Sequence, residues 1–592
     1  MNLLNGACWL PCLMRDGTVE YRPPADMANP DVINLACPRA DFQAGAYQFL
    51  LGLLQTALPL ADHGEWLDYL IEPPSPDALQ EAFAPLESAF ELDGDGPRFM
   101  QDKDPLEDGN ATTVSALLID APGKNTLKNN KDFFVKRGRV DVMCEACAAL
   151  ALFTMQASAP AGGRCHRVGL RGGGPLTTLV MPESADASLW KRLWLNVVPS
   201  KKLIQQGQNW TTPHPEDPDL FFWIADTRIS DKKGTEVLPE QVHPLHAYWS
   251  VPRRFRLLFE QDECRCDLCG REVDQIVRQV RSINQGANYD GPWQHPLTPY
   301  RRDPKKPAKP PWSKKAQRDG LGYRHWSSFV LSDYDGSGAL PAAVVTDYIS
   351  HKQKLVDESY RWGDDVPGLL KQMRIWASGY DMENMKPRGW YSVEMPLINL
   401  PPSSQDILRA WVQQLTGLSQ QVASDTRKQI KAAWFKRPAD ADADADAKAK
   451  AKAKAKAKAK AKAKAKAKAK GDMRQVDKQF FSVTHDAFFH TVSRLATILQ
   501  EEAETTAIPA DIAQSWYLSL RRQAFAIFDD QALSGAQENM NWQRATGARR
   551  QLQGFLSGRS KGSKTVKDFI SQHGFEPTAK ADKTSLTQGG AA

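Results

Sequence analysis

The sequence has no run of about 18 apolar residues, the length that would cross a bilayer, so no membrane span is expected. Its first residues, MNLLNGACWLPCLMRDG, lack the basic start and long apolar stretch of a secretory signal, so a cytoplasmic protein is expected. There is no HExxH, and the eleven histidines are scattered rather than clustered as metal ligands. GLRGGGP (169–175) and GRSKGSKT (558–565) both miss the order and spacing of a phosphate-binding loop, so no nucleotide site is supported. Cysteine is sparse and odd in number, nine in 592 residues, which argues against a disulfide framework.

Charge of one sign is also missing from most of the chain. The formal net charge is +6, but twelve lysines (Lys448 to Lys470) and four aspartates (Asp440 to Asp446) sit in one alternating tract, and the rest carries −2. Any basic surface is therefore local. The tract, 438–471, offers no apolar face to bury and surrounds any helix with like charge, so it reads as a disordered insertion. The tail 578–592 reads as disordered too.

What is present indicates a folded body, with 17 tryptophans among 42% hydrophobic residues. Arg15-Asp16-Gly17-Thr18 predicts a hairpin turn, and Phe42, Ala46, Phe49, Leu50 and Leu53 predict a helix over 42–58. A second helix is expected over 77–92, and another over 187–197. Phe99 and Met100 read as core anchors. The stretch 109–140 reads as loop, LTTLVM, LFFWIA and RFRLLF within 176–260 as strands, 298–322 as an extended basic loop, and 378–392 as another loop. After Pro401-Pro402 the pattern becomes helical. Ser404 caps a helix with Leu408, Trp411, Leu415, Leu418 and Val422. A second carries Phe481 to Leu499, a third begins near Pro509, and a fourth spans 537–556. The expected fold is α+β: a large mixed α/β domain (1–400) with a structural zinc site, then a four-helix bundle (401–577).

The zinc expectation rests on spacing. Cys144-x-x-Cys147 and Cys266-x-x-Cys269 lie roughly 120 residues apart, and together they supply the four thiolates of a closed tetrahedral site. Gly270 suits a tight knuckle turn. Cys264 is an alternative to Cys266, and four free buried cysteines are the bland alternative. Gly162-Gly163 permits close backbone approach to another surface, a minor groove included, or marks a plain turn. FFVKRGR (133–139), RRDPKKPAKPPWSKK (301–315) and Arg278-x-x-Arg281 pair cations with aromatics, as phosphate contacts and stacking would need, or are solvated faces.

In order, Pro38-Arg39-Ala40-Asp41, PRFMQ (97–101), FFVKRG before Cys144, APAGG before GLRGGGPLTTLV, the second cysteine pair, WQHP (293–296) and SGY (378–380) resemble the CasA family, the large subunit of the type I-E CRISPR surveillance complex Cascade. The resemblance spans nearly the whole chain. It implies a subunit without catalytic activity that reads the protospacer-adjacent motif (PAM) of duplex DNA from the minor groove, starts strand separation and docks a helicase-nuclease. It further implies contact of Phe133, Phe134, Val135 and Lys136 with guide RNA and neighbouring subunits. The family's glycine loop would fall at Gly162, Gly163 and Arg164, and its minor-groove finger at Asn284 or Arg281. The family's wedge would fall at Asn384 and Met385, and the metal at Cys144, Cys147, Cys266 and Cys269. Two other classes compete: a zinc-dependent nuclease or hydrolase, and a scaffold that reads no DNA.

Overall fold

The computed structural model describes all residues except 131–136, 161, 163–164, 319, 334–335, 358–369, 371, 384–385, 399, 401, 435–472, 502–504, 535–540 and 577–592. The chain packs as two units. One comprises Met1–Leu321 and Ser328–Leu397; the other comprises Gly322–Ser327 and the chain from Ile398. No helix among the described residues is long and apolar enough to cross a membrane.

In the first unit, Gly17 takes φ +87° beside Asp16, whose carboxylate accepts from Thr18 N at 2.9 Å. The chain reverses there, pairing Leu10–Met14 with Val19–Arg22, and Val32–Leu35 adds to the other edge. Helix Ala40–Ala57 is buried around nearly all of its circumference, as a helix apolar on several faces must be. Phe49 on it meets Trp9, Phe90, Phe99, Phe153 and Trp249 edge to face, with ring centres 5.5–6.2 Å apart. Such pairs add about 0.5–1.5 kcal/mol each beyond area burial. Phe99 and Met100 are core anchors, buried in full.

Two sheets carry the candidate site. Strand Glu272–Ile283 pairs with Arg254–Arg265 on one edge, and with Asn110–Thr113 and Met143–Cys144 on the other. The second sheet has the order Lys386–Leu397, Met373–Glu383, Thr177–Pro182.

Several expectations fail for identifiable reasons. Residues 378–392 are not a loop but most of a long hairpin. Pro387 is tolerated because it lies on the outer strand, opposite Met382 where the register shifts. Within 109–140, Asn110–Thr113 is an edge strand. LFFWIA is a 3₁₀ turn, Phe222–Ile224, because a short apolar run buries equally well as a turn in the aromatic core. The helix expected at 77–92 breaks after Phe83 into a 3₁₀ turn, Ala84–Ala89, where Pro85 lacks a helical N–H.

In the second unit, helix Pro402–Trp434 begins before Ser404, which therefore lies inside it and does not cap it. Its stripe Leu408, Trp411, Leu415, Leu418 and Val422 is buried. The single helix expected through Phe481 to Leu499 is two, Arg474–Val483 and His485–Glu501. Thr484 between them turns its hydroxyl back onto Phe480 O at 2.7 Å. Ala510–Leu533, Trp542–Leu556 and Lys564–Gln572 follow. Tyr323 of the inserted segment stacks on Phe488 at 4.2 Å and bonds Thr484 Oγ1 at 3.1 Å.

Candidate nucleic-acid interface and cysteine centre

The four cysteines converge. Their sulfurs lie within 4.8 Å of one another, Cys144 and Cys269 at 3.7 Å, and all but Cys269 are buried in full. Cys144 ends a strand and opens helix Glu145–Ser158, where its sulfur accepts from Cys147 N at 3.4 Å. Cys266 and Cys269 occupy the turn of the 254–283 hairpin, closed by Gly270 at φ +76° and by Gly270 N to Cys266 O at 2.9 Å. Asp267 locks the two halves together, accepting from Asp141 N and Val142 N, each at 2.8 Å. Hydrogen bonds from Cys144 and then Cys147 pull the Cys266 thiol down to about 6. Cys269 is lowered by the same neighbours. Cys147 is pushed up by its bonds to Cys144, Cys266 and Cys269 and by burial. A closed set of four sulfurs, with thiolate character on one hairpin, can hold a tetrahedral metal ion and leaves no position open for catalysis. Cys264 is outside the cluster; its thiol faces Asp262 and Arg278.

The second feature joins two loops distant in sequence. After helix Glu145–Ser158 the chain runs through Pro160 and Gly162 to Cys165, which adopts φ +66°. A Cβ on Gly162 would lie 2.2 Å from His166 Cβ, so glycine here allows close packing within the loop itself. Arg253 holds the loop from behind. It donates to Pro160 O (2.5 Å), Arg167 O (2.6 Å) and His166 Nδ1 (2.7 Å), and burial lowers it to about 10. The fully buried Gln156 fixes Arg253 in turn, accepting from its N–H and donating to its carbonyl. The turn 284–286, which ends strand Glu272–Ile283, meets this loop through Gln285 N to Cys165 O at 3.0 Å. Ser230 closes the junction, bonded to Gln285 O, Gly286 O and the Arg167 guanidinium. Asn284 is exposed at this junction, and its amide both donates and accepts.

Of the other residues singled out from sequence, Arg281 sits within the strand opposite Arg256 and Ala111 and reaches Pro105 O at 3.5 Å. Phe133, Phe134, Val135, Lys136, Gly163, Arg164, Asn384 and Met385 lie outside the described residues. The strands Met373–Glu383 and Lys386–Leu397 are well anchored. Arg388 grips the buried Asp381 with two bonds, 2.9 and 2.5 Å. A Cβ on Gly174 would meet Met382 Cγ at 2.5 Å. Tyr380 donates to Asp41 at 2.5 Å, and Asp41 also takes two bonds from Arg39. GLRGGGP is thus scaffolding: Arg171 is wholly buried among Gln48, Thr177, Thr298 and Ala157 O. Sequence reasoning missed Arg253, Gln156 and Ser230. Each acts through backbone groups, and no motif marks such a contact.

The family model for CRISPR-associated protein Cse1 matches residues 2–527, and the chain belongs to that family. Solved structures share the fold. A CRISPR-associated protein from Thermus thermophilus is 17% identical with TM-score 0.63, over 96% of this chain and 99% of that one. Cse1 from Acidimicrobium ferrooxidans is 16% identical with TM-score 0.61, over the same shares. A chain of a CRISPR RNA-guided surveillance complex is 13% identical with TM-score 0.59, over 94% and 99%.

Proposed function

We propose that this chain is the non-catalytic large subunit of a type I-E CRISPR RNA-guided surveillance complex. It recognises the PAM of double-stranded DNA through the minor groove, helps open the duplex and recruits a helicase-nuclease, acting in the cytoplasm. Family membership across residues 2–527 carries the reading. The junction of the Gly162 loop with the Asn284 turn supports it, because two loops that the resemblance assigns to DNA are hydrogen-bonded neighbours.

In this reading Asn284, or Arg281 beside it, reads base edges while Gly162, Gly163 and Arg164 approach the DNA backbone. An amide suits the minor groove, whose code is degenerate and mostly acceptor in character. Asn384 and Met385 wedge beneath the first base pair. Unstacking costs a few kcal/mol, offset by guide pairing and backbone contacts. Phe133, Phe134, Val135 and Lys136 face guide RNA and the neighbouring subunits. Zn²⁺ at Cys144, Cys147, Cys266 and Cys269 is structural and ties the start of helix Glu145–Ser158 to the long hairpin. Within 401–577, Pro402–Trp434, His485–Glu501, Ala510–Leu533 and Trp542–Leu556 make up the four-helix bundle, with Arg474–Val483 and Lys564–Gln572 as shorter additions.

Co-expression with guide RNA and the remaining subunits tests the assignment. The chain is expected to co-purify with them and to shift PAM-bearing duplex more strongly than duplex without it. Failure to assemble, or equal shifts for both duplexes, would sink the reading.

A further inference from the structure

A second group of metal-ligating side chains lies apart from the cysteines. His63 opens helix His63–Ile71, and Asp62 caps that helix by accepting from Gly64 N (2.7 Å) and Glu65 N (3.2 Å), which fixes the first turn. Asp347 ends helix Ala343–Asp347, and His351 follows four residues later in the π-helical turn Tyr348–Lys352, so the two share a face. His63 Nε2 lies 2.9 Å from Asp347 Oδ1, and His351 Nδ1 lies 3.6 Å from the same oxygen. The imidazole rings stack, 4.9 Å apart and 3° from parallel. All three ligand atoms fall within 4.8 Å of one another.

The carboxylate is the telling group. Asp347 is 3% exposed, and its Oδ2 has no hydrogen-bond partner among the described residues. The Lys352 ammonium gives two of its protons to Leu195 O (2.8 Å) and Val197 O (2.7 Å) and pairs with Oδ2 only as an ion, 3.5 Å away. A buried carboxylate is costly unless it is paired or coordinated, and Oδ1, the oxygen that both imidazoles face, is the one an ion between them would take. The histidine side opens to solvent, His63 at 17% and His351 at 45% exposure.

We propose that His63, Asp347 and His351 form a second metal site that takes a divalent transition cation such as Zn²⁺, with a fourth position left to water. Two imidazoles and a carboxylate are a donor set for zinc, nickel or cobalt rather than for calcium or magnesium, which take oxygen ligands. Tetrahedral bonds of about 2.0–2.1 Å set ligand atoms roughly 3.3 Å apart, close to the 2.9 and 3.6 Å that separate the two imidazoles from Asp347 Oδ1. Lys202, 3.8 Å from Asp347 Oδ1 and 37% exposed, is the competing cation and swings into solvent as the ion enters. The bound ion ties helix His63–Ile71 to the 343–357 helical stretch.

The experiment uses the full chain, stripped with chelator and titrated with Co²⁺ and Zn²⁺. The expected result is one equivalent of Co²⁺ that adds no thiolate absorption and is lost in both His63→Ala and His351→Gln, whatever the cysteines bind. Lys202→Gln should tighten that equivalent about three- to tenfold, because it removes a cation beside the carboxylate. His351 is half exposed, so His351→Gln keeps the test open if His63→Ala fails to fold. A chain that binds no such equivalent overturns the proposal. So does an equivalent that survives the histidine substitutions, or one indifferent to Lys202→Gln.

Discussion

The N–H of Gln285 donates to the carbonyl of Cys165 at 3.0 Å, and both residues hold left-handed backbone, φ +71° and +66°. Neither is glycine, so each is held there by its neighbours at a cost of about 1–2 kcal/mol. A β-branched side chain fits this region worse. Gln285→Val should therefore destabilise the fold by about 1–2 kcal/mol in thermal unfolding and reduce PAM-dependent gel shift several-fold. Gln285→Gly should keep both. Unchanged PAM discrimination in the valine variant would remove this junction from the proposed interface.

Arg253 supports the same loop from inside. Arg253→Ala strips the donors from Pro160 O, Arg167 O and His166 Nδ1 together. Leaving buried acceptors unpaired costs about 1–3 kcal/mol each where water cannot replace the donor. A loss of roughly 2–4 kcal/mol is expected in denaturant unfolding. Arg253→Lys should recover little, since one ammonium cannot span three acceptors set for a planar fork. Full recovery would mean that charge, not geometry, holds the loop.

Much of this was legible in sequence where a local rule was sufficient. The turn at Gly17, the stripe on helix Ala40–Ala57 and the two cysteine pairs each follow from spacing alone. The choice between Cys264 and Cys266 did not: both suit a knuckle, but the strand ends at Arg265, so Cys266 enters the turn and the cluster while Cys264 stays in the strand opposite Val273, beside Asp262 and Arg278. The 373–397 hairpin was hidden because Pro387, Gly389 and several charges signal a loop, while an edge strand accepts them. The packing of Tyr323 and Trp326, from the segment Gly322–Ser327, among the C-terminal helices was hidden too, since nothing in six residues states which core they join. The loop junction rests on side chains bonding to distant backbone, and such bonds have no period to read.

The cysteine cluster gives a paired prediction. Cys269→Ser removes one of the four sulfurs, and the remaining three should hold metal far more weakly. Thermal unfolding is expected to drop by several degrees, with faster release of zinc to a colorimetric chelator. Cys264→Ser should change neither, because that thiol lies outside the cluster. Equal effects of the two substitutions would show that the metal ligands are wrongly assigned.

Tyr380 and Asp41 connect two motifs almost 340 residues apart in sequence, through a 2.5 Å bond. Tyr380→Phe leaves Asp41 with both bonds from Arg39 and one from Phe42 N. The expected cost is about 1.5–3 kcal/mol, the range for a hydrogen bond to a charged group. Asp41→Asn should cost more, since it also removes the charge that Arg39 pairs with. Denaturant unfolding of the two variants checks the order, and a phenylalanine variant worse than the asparagine one would contradict it.

His246 sets an acid limit on stability. Complete burial holds its imidazole neutral, with a pKa of about 3 against an ordinary value near 6.5. Its Nδ1–H donates to Leu220 O at 2.9 Å, and its Nε2 accepts from Tyr289 O–H at 2.9 Å. That hydroxyl oxygen already accepts from Val251 N, so a second ring proton would be poorly accommodated. Below pH 6.5 the unfolded chain binds a proton that the folded chain refuses until about 3. Stability is thus complete near pH 7 and falls as the pH drops through this window, by up to about 1.4 kcal/mol per pH unit. His246→Gln keeps a donor and an acceptor but cannot titrate. Urea unfolding between pH 4 and 7 should therefore show a slope shallower by about one proton in the variant. An unchanged slope would mean that His246 carries its charge within the fold.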